Sequence, residues 1–219
     1  MSDISIADKK YISPPKSGVS KTNETKAAPQ SKSKKNSVRA AKGDEIDLIH
    51  LRLMEAIETS PFYSDEFKQF EKQRMSKGFL RSLYEIDPYH LMIFAADYEI
   101  AGFMITSPQC GTLWLHWSYI FPEMRRASLA MTGFRTLVEH WDNGKFHKIA
   151  TYTKPGNAVS SILKRYKYEL ICTLENHLFG EDYLLYERKL NKTVPGYDHG
   201  VSATGLRGRI KNYIRALLG

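Results

Sequence analysis

Cysteine is scarce in this chain of 219 residues: there are two, Cys110 and Cys172. They lie far apart, and neither has a second Cys or a His at metal-ligand spacing. This excludes a disulfide framework and a cysteine-based zinc site, and it fits two reduced thiols in a reducing compartment. Long apolar runs are also missing. No stretch reaches the length that crosses a bilayer, and the N-terminus lacks the apolar centre of a secretory signal. A soluble, cytoplasmic protein is expected, or one carried within a virus particle if the chain is virally encoded. The body of the chain has little net charge. The formal +8 divides into +7 over residues 1–43, +4 over 191–219 and −3 over 44–190. A nucleic-acid role for the body is therefore not supported, whereas the two basic tails suit an anionic surface or a protein partner. No acidic cluster marks a site for a polycation.

Residues 1–43 are rich in Lys, Ser, Pro, Thr, Ala and Asn and contain almost no apolar clusters. Such a segment cannot bury enough surface to offset its ordering entropy, and it reads as a disordered basic arm. From Asp44 the texture changes. Asp44 is placed to cap a helix to about Thr59 with Ile46, Ile49, Leu53 and Ile57 on one face. Ser60-Pro61 breaks it. Ser64 can cap a second helical stretch to about Leu83, interrupted near Gly78, and Asp87-Pro88 closes it. His90–Ala96 and Ile100–Thr106 then read as strands joined by a hairpin turn at Asp97-Tyr98-Glu99.

The stretch from Leu113 to Trp141 organises the rest. Through Phe121 it is aromatic and aliphatic, as a buried strand is, and Pro122 stops it. From Arg125 the period becomes helical, with Leu129, Phe134, Leu137, Val138 and Trp141 on one face. A strand, a short basic turn and an amphipathic helix follow one another. The first N–H groups of such a helix lack internal partners, and its dipole is positive there, so the turn is a place for a phosphate. Beyond Asn143-Gly144 come a strand (Phe146–Thr153), a loop (Lys154–Asn157), a short helix (Ala158–Tyr166) and two strands (Tyr168–Leu174, Tyr183–Leu190) joined by 175–182. Within residues 191–219, Thr193–Gly205 reads as a linker. Leu206–Leu218 reads as a basic amphipathic helix that needs something to bind, since a helix of this length is marginal alone.

The segment Arg125-Arg126-Ala127-Ser128-Leu129-Ala130 resembles the Arg/Gln-x-x-Gly-x-Gly/Ala signature of the GNAT N-acetyltransferases. Ile120-Phe121-Pro122-Glu123 resembles the hydrophobic-x-Pro-Glu that leads into it. Ser128 stands where the family usually has Gly, which lets the backbone approach a phosphate closely. The Asn157 loop and the Lys167-Tyr168-Glu169 entry to the next strand also look like family features, and the resemblance spans roughly residues 44–190. It implies an α/β (α+β) domain, a mixed central sheet flanked by helices, between the basic arm (1–43) and a linker with a basic helix (191–219).

The resemblance further implies an acetyl-CoA-dependent N-acetyltransferase in which an amine of unidentified acceptor attacks the acetyl carbonyl directly. The backbone at Tyr119, Ile120 and Phe121 would line the pantetheine and acetyl group. The amides of Arg125, Arg126, Ala127, Ser128, Leu129 and Ala130 would hold the pyrophosphate, and Asn157 would reach the pantetheine arm. Asn157 equally suits a helix cap. His116 stands about where the family often places a Glu as general base. The family's general-acid Tyr falls at Leu163; Tyr166, one turn on, is the substitute candidate or a packing residue. Phe62 and Tyr63 would form one wall of the acceptor site. The competing expectation is a catalytically inactive protein of this fold, such as a virion or assembly component acting through its tails. Its mark would be a pocket filled by Ser128, Trp114 or Tyr166.

Overall fold

The computed structural model describes residues 36–125 and 127–194. Seven strands form one mixed sheet: β1 (Asn36–Ala40), β2 (Leu91–Ala96), β3 (Glu99–Gln109), β4 (Thr112–Ile120), β5 (Lys148–Thr153), β6 (Glu169–Leu178) and β7 (Glu181–Lys189). Their order across the sheet is β1-β2-β3-β4-β5-β7-β6. All neighbours are antiparallel except β4 and β5. Among the described residues five α-helices accompany them: α1 (Ile46–Thr59), α2 (Asp65–Arg74), α3 (Lys77–Ile86), α4 (Ala127–Trp141) and α5 (Val159–Arg165).

The alternation of side chains along the central strands divides the core into two layers. On β2, Leu91 and Ile93 pack with Ile49, Leu53, Leu80 and Leu83 of α1 and α3, while Met92 and Phe94 pack with Phe134, Leu137 and Trp141 of α4. This explains why β2 is one unbroken apolar run: both faces are covered by helices. Three connections are tight two-residue turns in which both residues have positive φ: Asp97-Tyr98 (53° and 74°), Cys110-Gly111 (49° and 73°) and Phe179-Gly180 (53° and 74°). Such turns carry the twist of the strands they join.

Three details differ from the reading of the sequence. A strand precedes Asp44 among the described residues. Residues 36–40 pair antiparallel with β2 as an edge strand, and Arg39 makes two hydrogen bonds to Glu45, at 2.8 and 2.6 Å. A single edge with one hydrogen-bonded neighbour needs little apolar pattern, so Asn-Ser-Val-Arg-Ala is hard to tell from the arm before it. Asp44 then lies in a 3₁₀ turn, and Glu45 takes the Lys42 N–H at 2.7 Å. Second, the helical stretch breaks at Met75-Ser76 rather than Gly78, because the Ser76 hydroxyl accepts from the Phe79 N–H at 3.3 Å and starts a new helix. Third, residues 175–182 are no loop: β6 runs to Leu178, β7 starts at Glu181, and the polar stretch is the exposed end of an edge hairpin. The Leu206–Leu218 helix and all but the last part of the arm lie outside the described residues. Among the described residues, no helix is long and apolar enough to cross a membrane.

Candidate active site

The parallel contact between β4 and β5 is short. Thr112, Leu113 and Trp114 pair with Lys148, Ile149 and Ala150, and there the pairing ends although both strands continue. Just past this point β4 carries a bulge. Ile105 of β3 faces Trp117, the next residue Thr106 faces Leu115, and His116 is the extra residue between them. A bulge bends its strand and re-aims the side chain it inserts. The Thr151 hydroxyl donates to the Leu115 carbonyl at 2.9 Å and marks the last tie across the gap. Beyond it, the Phe121 N–H donates back to Ala101 of β3 at 2.9 Å. Alternation along the strand therefore turns the backbone groups of Ile120 and Ser118 toward the opening.

The opening is a cleft of about 290 Å³. It is lined by β4 from Leu115 to Tyr119, by β5 from Thr151 to Thr153, by Pro122 and Arg125, and by the α1–α2 connection from Thr59 to Tyr63. A 3₁₀ turn, Pro122–Met124, leads from β4 toward α4. Arg52 of α1 pairs with Glu123 and lies 4.3 Å over the Phe121 ring, which fixes this turn against the helical layer. Gly133 lets α4 lie close on the sheet, since a Cβ there would come within 2.0 Å of the Phe94 ring. The unpartnered N–H groups of the first turn of α4 thus open beside the end of β4.

The phosphate-turn residues have separate placements. Arg125 is exposed and lines the cleft. The helix starts at Ala127, two residues later than the sequence suggests, and Arg126 lies outside the described residues. Leu129 is fully buried in the α4 layer, and Ala130 is half-buried. Ser128 is exposed, and its hydroxyl accepts from the Asn36 amide at 2.9 Å, so it is turned toward β1. Tyr119 lines the cleft, whereas the Phe121 side chain is buried in the core and Ile120 packs against the other layer. Asn157 lines the cleft, and its Oδ1 accepts from the Val159 N–H at 3.0 Å. That bond orders the start of α5 and leaves the amide nitrogen for a ligand.

The two proton-transfer candidates are not alike. Tyr166 does not line the cleft; its hydroxyl donates to the Met131 carbonyl, and its ring stacks on Phe134 at 5.9 Å. It packs α5 on α4. His116 does line the cleft, within a network that the sequence did not suggest. Arg74 Nη1 lies 3.3 Å from His116 Nδ1, and Ser107 Oγ lies 2.6 Å from Nε2. A guanidinium only donates, so Nδ1 accepts, and a neutral ring then carries its proton on Nε2 and gives it to Ser107. Burial first, and the Arg74 charge second, push the His116 pKa down to about 3. His116 is a neutral, fully engaged side chain, poorly suited to take a proton.

Arg74 is itself held by Glu71, which is 2% exposed. The carboxylate accepts from Arg74 Nε and Nη2 at 2.7 Å each and from Trp117 Nε1 at 2.7 Å. The spacing of Phe67, Glu71 and Met75, one per helical turn, was the available signal: it puts a carboxylate on the buried face of α2. Stability should report the neutral histidine. The unfolded chain binds the His116 proton near pH 6.5 and the native state only near pH 3, so the unfolded state binds more protons between these values. Stability therefore falls as pH falls through this window. Urea midpoints of the wild type and His116→Gln at several pH values should show a flatter acid limb in the variant; parallel limbs would reject the assignment.

Comparison with known proteins places this architecture. No protein-family model and no curated protein sequence matches the chain. Solved structures do. YncA, a putative acetyltransferase from Salmonella typhimurium solved with acetyl-CoA, superposes with a TM-score of 0.59 at 12% identity, over 73% of this chain and 96% of its own. The ribosomal-protein-alanine N-acetyltransferase of Brucella melitensis gives 0.54 at 18% identity, over 70% and 99%. Ard1 of Thermoplasma volcanium gives 0.56 at 11% identity, over 72% and 99%. The chain has the GNAT fold.

Proposed function

We propose that the protein is an acetyl-CoA-dependent N-acetyltransferase that acts on a primary amine. The observation that carries this reading is the parting of β4 and β5 after Trp114 and Ala150, which opens a cleft lined by Pro122 and Arg125 of the turn before α4 and by Phe134 of α4. YncA, with the same fold, was solved with acetyl-CoA, and RimL, an N-acetyltransferase of ribosomal L7/L12, was solved with coenzyme A. Acetyl-CoA supplies an activated thioester. The chain supplies position: α4 N–H groups and Arg125 for the diphosphate, the backbone of Ser118 and Ile120 along the gap, and the Asn157 amide beside it. Glu71, Arg74 and His116 hold the bulge that keeps the gap open. The inactive alternative has less support, because Ser128, Trp114 and Tyr166 are absent from the cleft lining. Trp114 instead packs against Tyr152, with ring centroids 4.9 Å apart.

The test is the thermal midpoint of the full chain with and without acetyl-CoA. At ten times its dissociation constant a ligand stabilises by about 1.4 kcal/mol, a shift of about 3–5 °C for a domain of this size. The shift should appear in the wild type and be lost in Arg125→Ala, Arg126→Ala. No shift at millimolar acetyl-CoA would end this reading.

A further inference from the structure

Among the described residues, strands β5, β7 and β6 are covered on one face only. Ile149 and Tyr186 are buried in the layer of α4 and α5, whereas no residue of these three strands belongs to the α1–α3 layer. Register defines the other face, since directly paired residues point to the same side of a sheet. Tyr152 of β5 pairs with Leu185 of β7, and Leu185 pairs with Cys172 of β6. Trp114 joins them: it pairs with Ala150, two residues before Tyr152, and its ring lies 4.9 Å from that of Tyr152. Leu174, paired with Tyr183, extends the row. Tyr152 and Cys172 are exposed, and Trp114, Leu174 and Leu185 are half-buried. Helix α2 reaches only a corner of this face, where Phe67 meets Tyr183 at 6.2 Å and Phe70 meets Phe179 at 5.7 Å. A sheet that is apolar on both faces ordinarily carries a layer on each.

The rim of this face has one sign of charge. From Tyr168 to Glu187 the chain has five carboxylates, Glu169, Glu175, Glu181, Asp182 and Glu187, and no Lys or Arg. Glu187 is paired with Lys148 at 2.6 Å and Glu181 with Lys154 at 3.2 Å, while Glu169, Glu175 and Asp182 are exposed. The segment Leu206–Leu218 is the counterpart in pattern and in sign. Helical spacing puts Leu206, Ile210, Ile214 and Leu217 on one side, and the segment carries Arg207, Arg209, Lys211 and Arg215 with no Asp or Glu. Such a helix is about 20 Å long, and the four strands from β4 to β6 span about 14 Å. The chain also leads there. Thr193 and Val194 both donate to the Gly144 carbonyl at 2.9 Å, so the chain leaves β7 beside the start of β5. From that point residues 195–205 can span up to about 36 Å, more than the width of the four strands.

We propose that Leu206–Leu218 docks as a helix on the uncovered face of β5, β7 and β6. Its leucines and isoleucines lie on Tyr152, Leu185 and Cys172, and its basic residues meet the carboxylates of the β6–β7 hairpin. A helix of this length is marginal alone, and the sheet face supplies the surface that orders it. Tyr152 also lines the cleft, so the docked segment borders the cleft on its β5 side. The proposal does not rest on acetyl transfer, and its test needs no acetyl-CoA.

Cys172 is the probe, because it lies within the face. In a full chain carrying Cys110→Ser it is the one remaining thiol. Its alkylation by iodoacetamide, a neutral reagent, should be at least tenfold slower than in the same chain with Ile210→Asp and Ile214→Asp. Far-UV circular dichroism checks that the second chain keeps its sheet. Equal rates overturn the proposal, and if the full chain then sediments with phosphatidylserine vesicles, the apolar side of the segment serves a membrane instead. Reversing the charges with Arg209→Glu, Lys211→Glu and Arg215→Glu should also speed the reaction several-fold; an unchanged rate would overturn the pairing with the hairpin carboxylates. A second measurement leaves the apolar side nearly intact. With Ile214→Cys in the Cys110→Ser chain, a short bismaleimide should join positions 172 and 214 within one chain, at a yield independent of protein concentration. Absence of this product overturns the proposal. A product formed only between two chains overturns it as well and assigns the face to a second copy.

Discussion

Gly133→Ala should lower the thermal midpoint by about 4–8 °C, although alanine is the better helix former. Propensity alone favours Ala over Gly in mid-helix by about 1 kcal/mol. Against this, the added Cβ would lie 2.0 and 2.5 Å from two ring carbons of Phe94, which is fully buried. Neither side has room to give, since the ring is enclosed by the α4 layer and the helix is held along Leu129, Leu137 and Trp141. Overpacking of a filled core costs about 1–3 kcal/mol, and at this separation the upper end applies. The net loss is about 2 kcal/mol, which gives the stated shift for a domain of this size. Phe94→Leu should cost stability alone but recover part of the loss when combined with Gly133→Ala. An alanine variant as stable as the wild type would refute the close approach of α4 to β2.

Glu71→Gln should cost about 2–4 kcal/mol in urea unfolding, more than any substitution of an exposed charge in this chain. The carboxylate serves three donors at 2.7 Å. A carboxamide has one acceptor oxygen, so at least one donor of Arg74 or Trp117 is stranded. Breaking a buried pair by removing one partner costs about 3–5 kcal/mol, and the figure is reduced here because the Arg74 side chain is 33% exposed. The loss should shrink in the double variant Glu71→Gln, Arg74→Met, where no cation is left behind. A double-mutant cycle with coupling below about 0.5 kcal/mol would show that the pair is ordinary surface charge.

The sequence made the order of elements legible from β2 onward, because period-2 and period-3.6 patterns alternate cleanly there and the turn residues fall between them. It hid β1 because that strand, which among the described residues pairs with β2 alone, carries almost no pattern. At the site, the strand, turn and helix around Pro122 were readable, and so was the loop of Phe62 and Tyr63, both of which line the cleft. Side-chain roles were not. Ser128 looked like an obstruction and is turned to Asn36. His116 looked like a base, but its bonding partners come from α2 and β3, at separations of 42 and 9 residues. No local pattern encodes a tautomer set by a residue from another layer.

The brevity of the β4–β5 pairing makes this sheet two leaves rather than one. Strands β1 to β4 form one antiparallel leaf, β5, β7 and β6 form a second, and three residue pairs stitch them together. Among the described strands β7, which completes the second leaf, comes last in the chain, so β5 waits for it with one side unpaired. The two leaves lie like the pages of a book beyond that stitched spine, and the α4 layer packs on both of them. Whatever lies in the cleft touches both pages, and its binding energy goes partly into keeping them together.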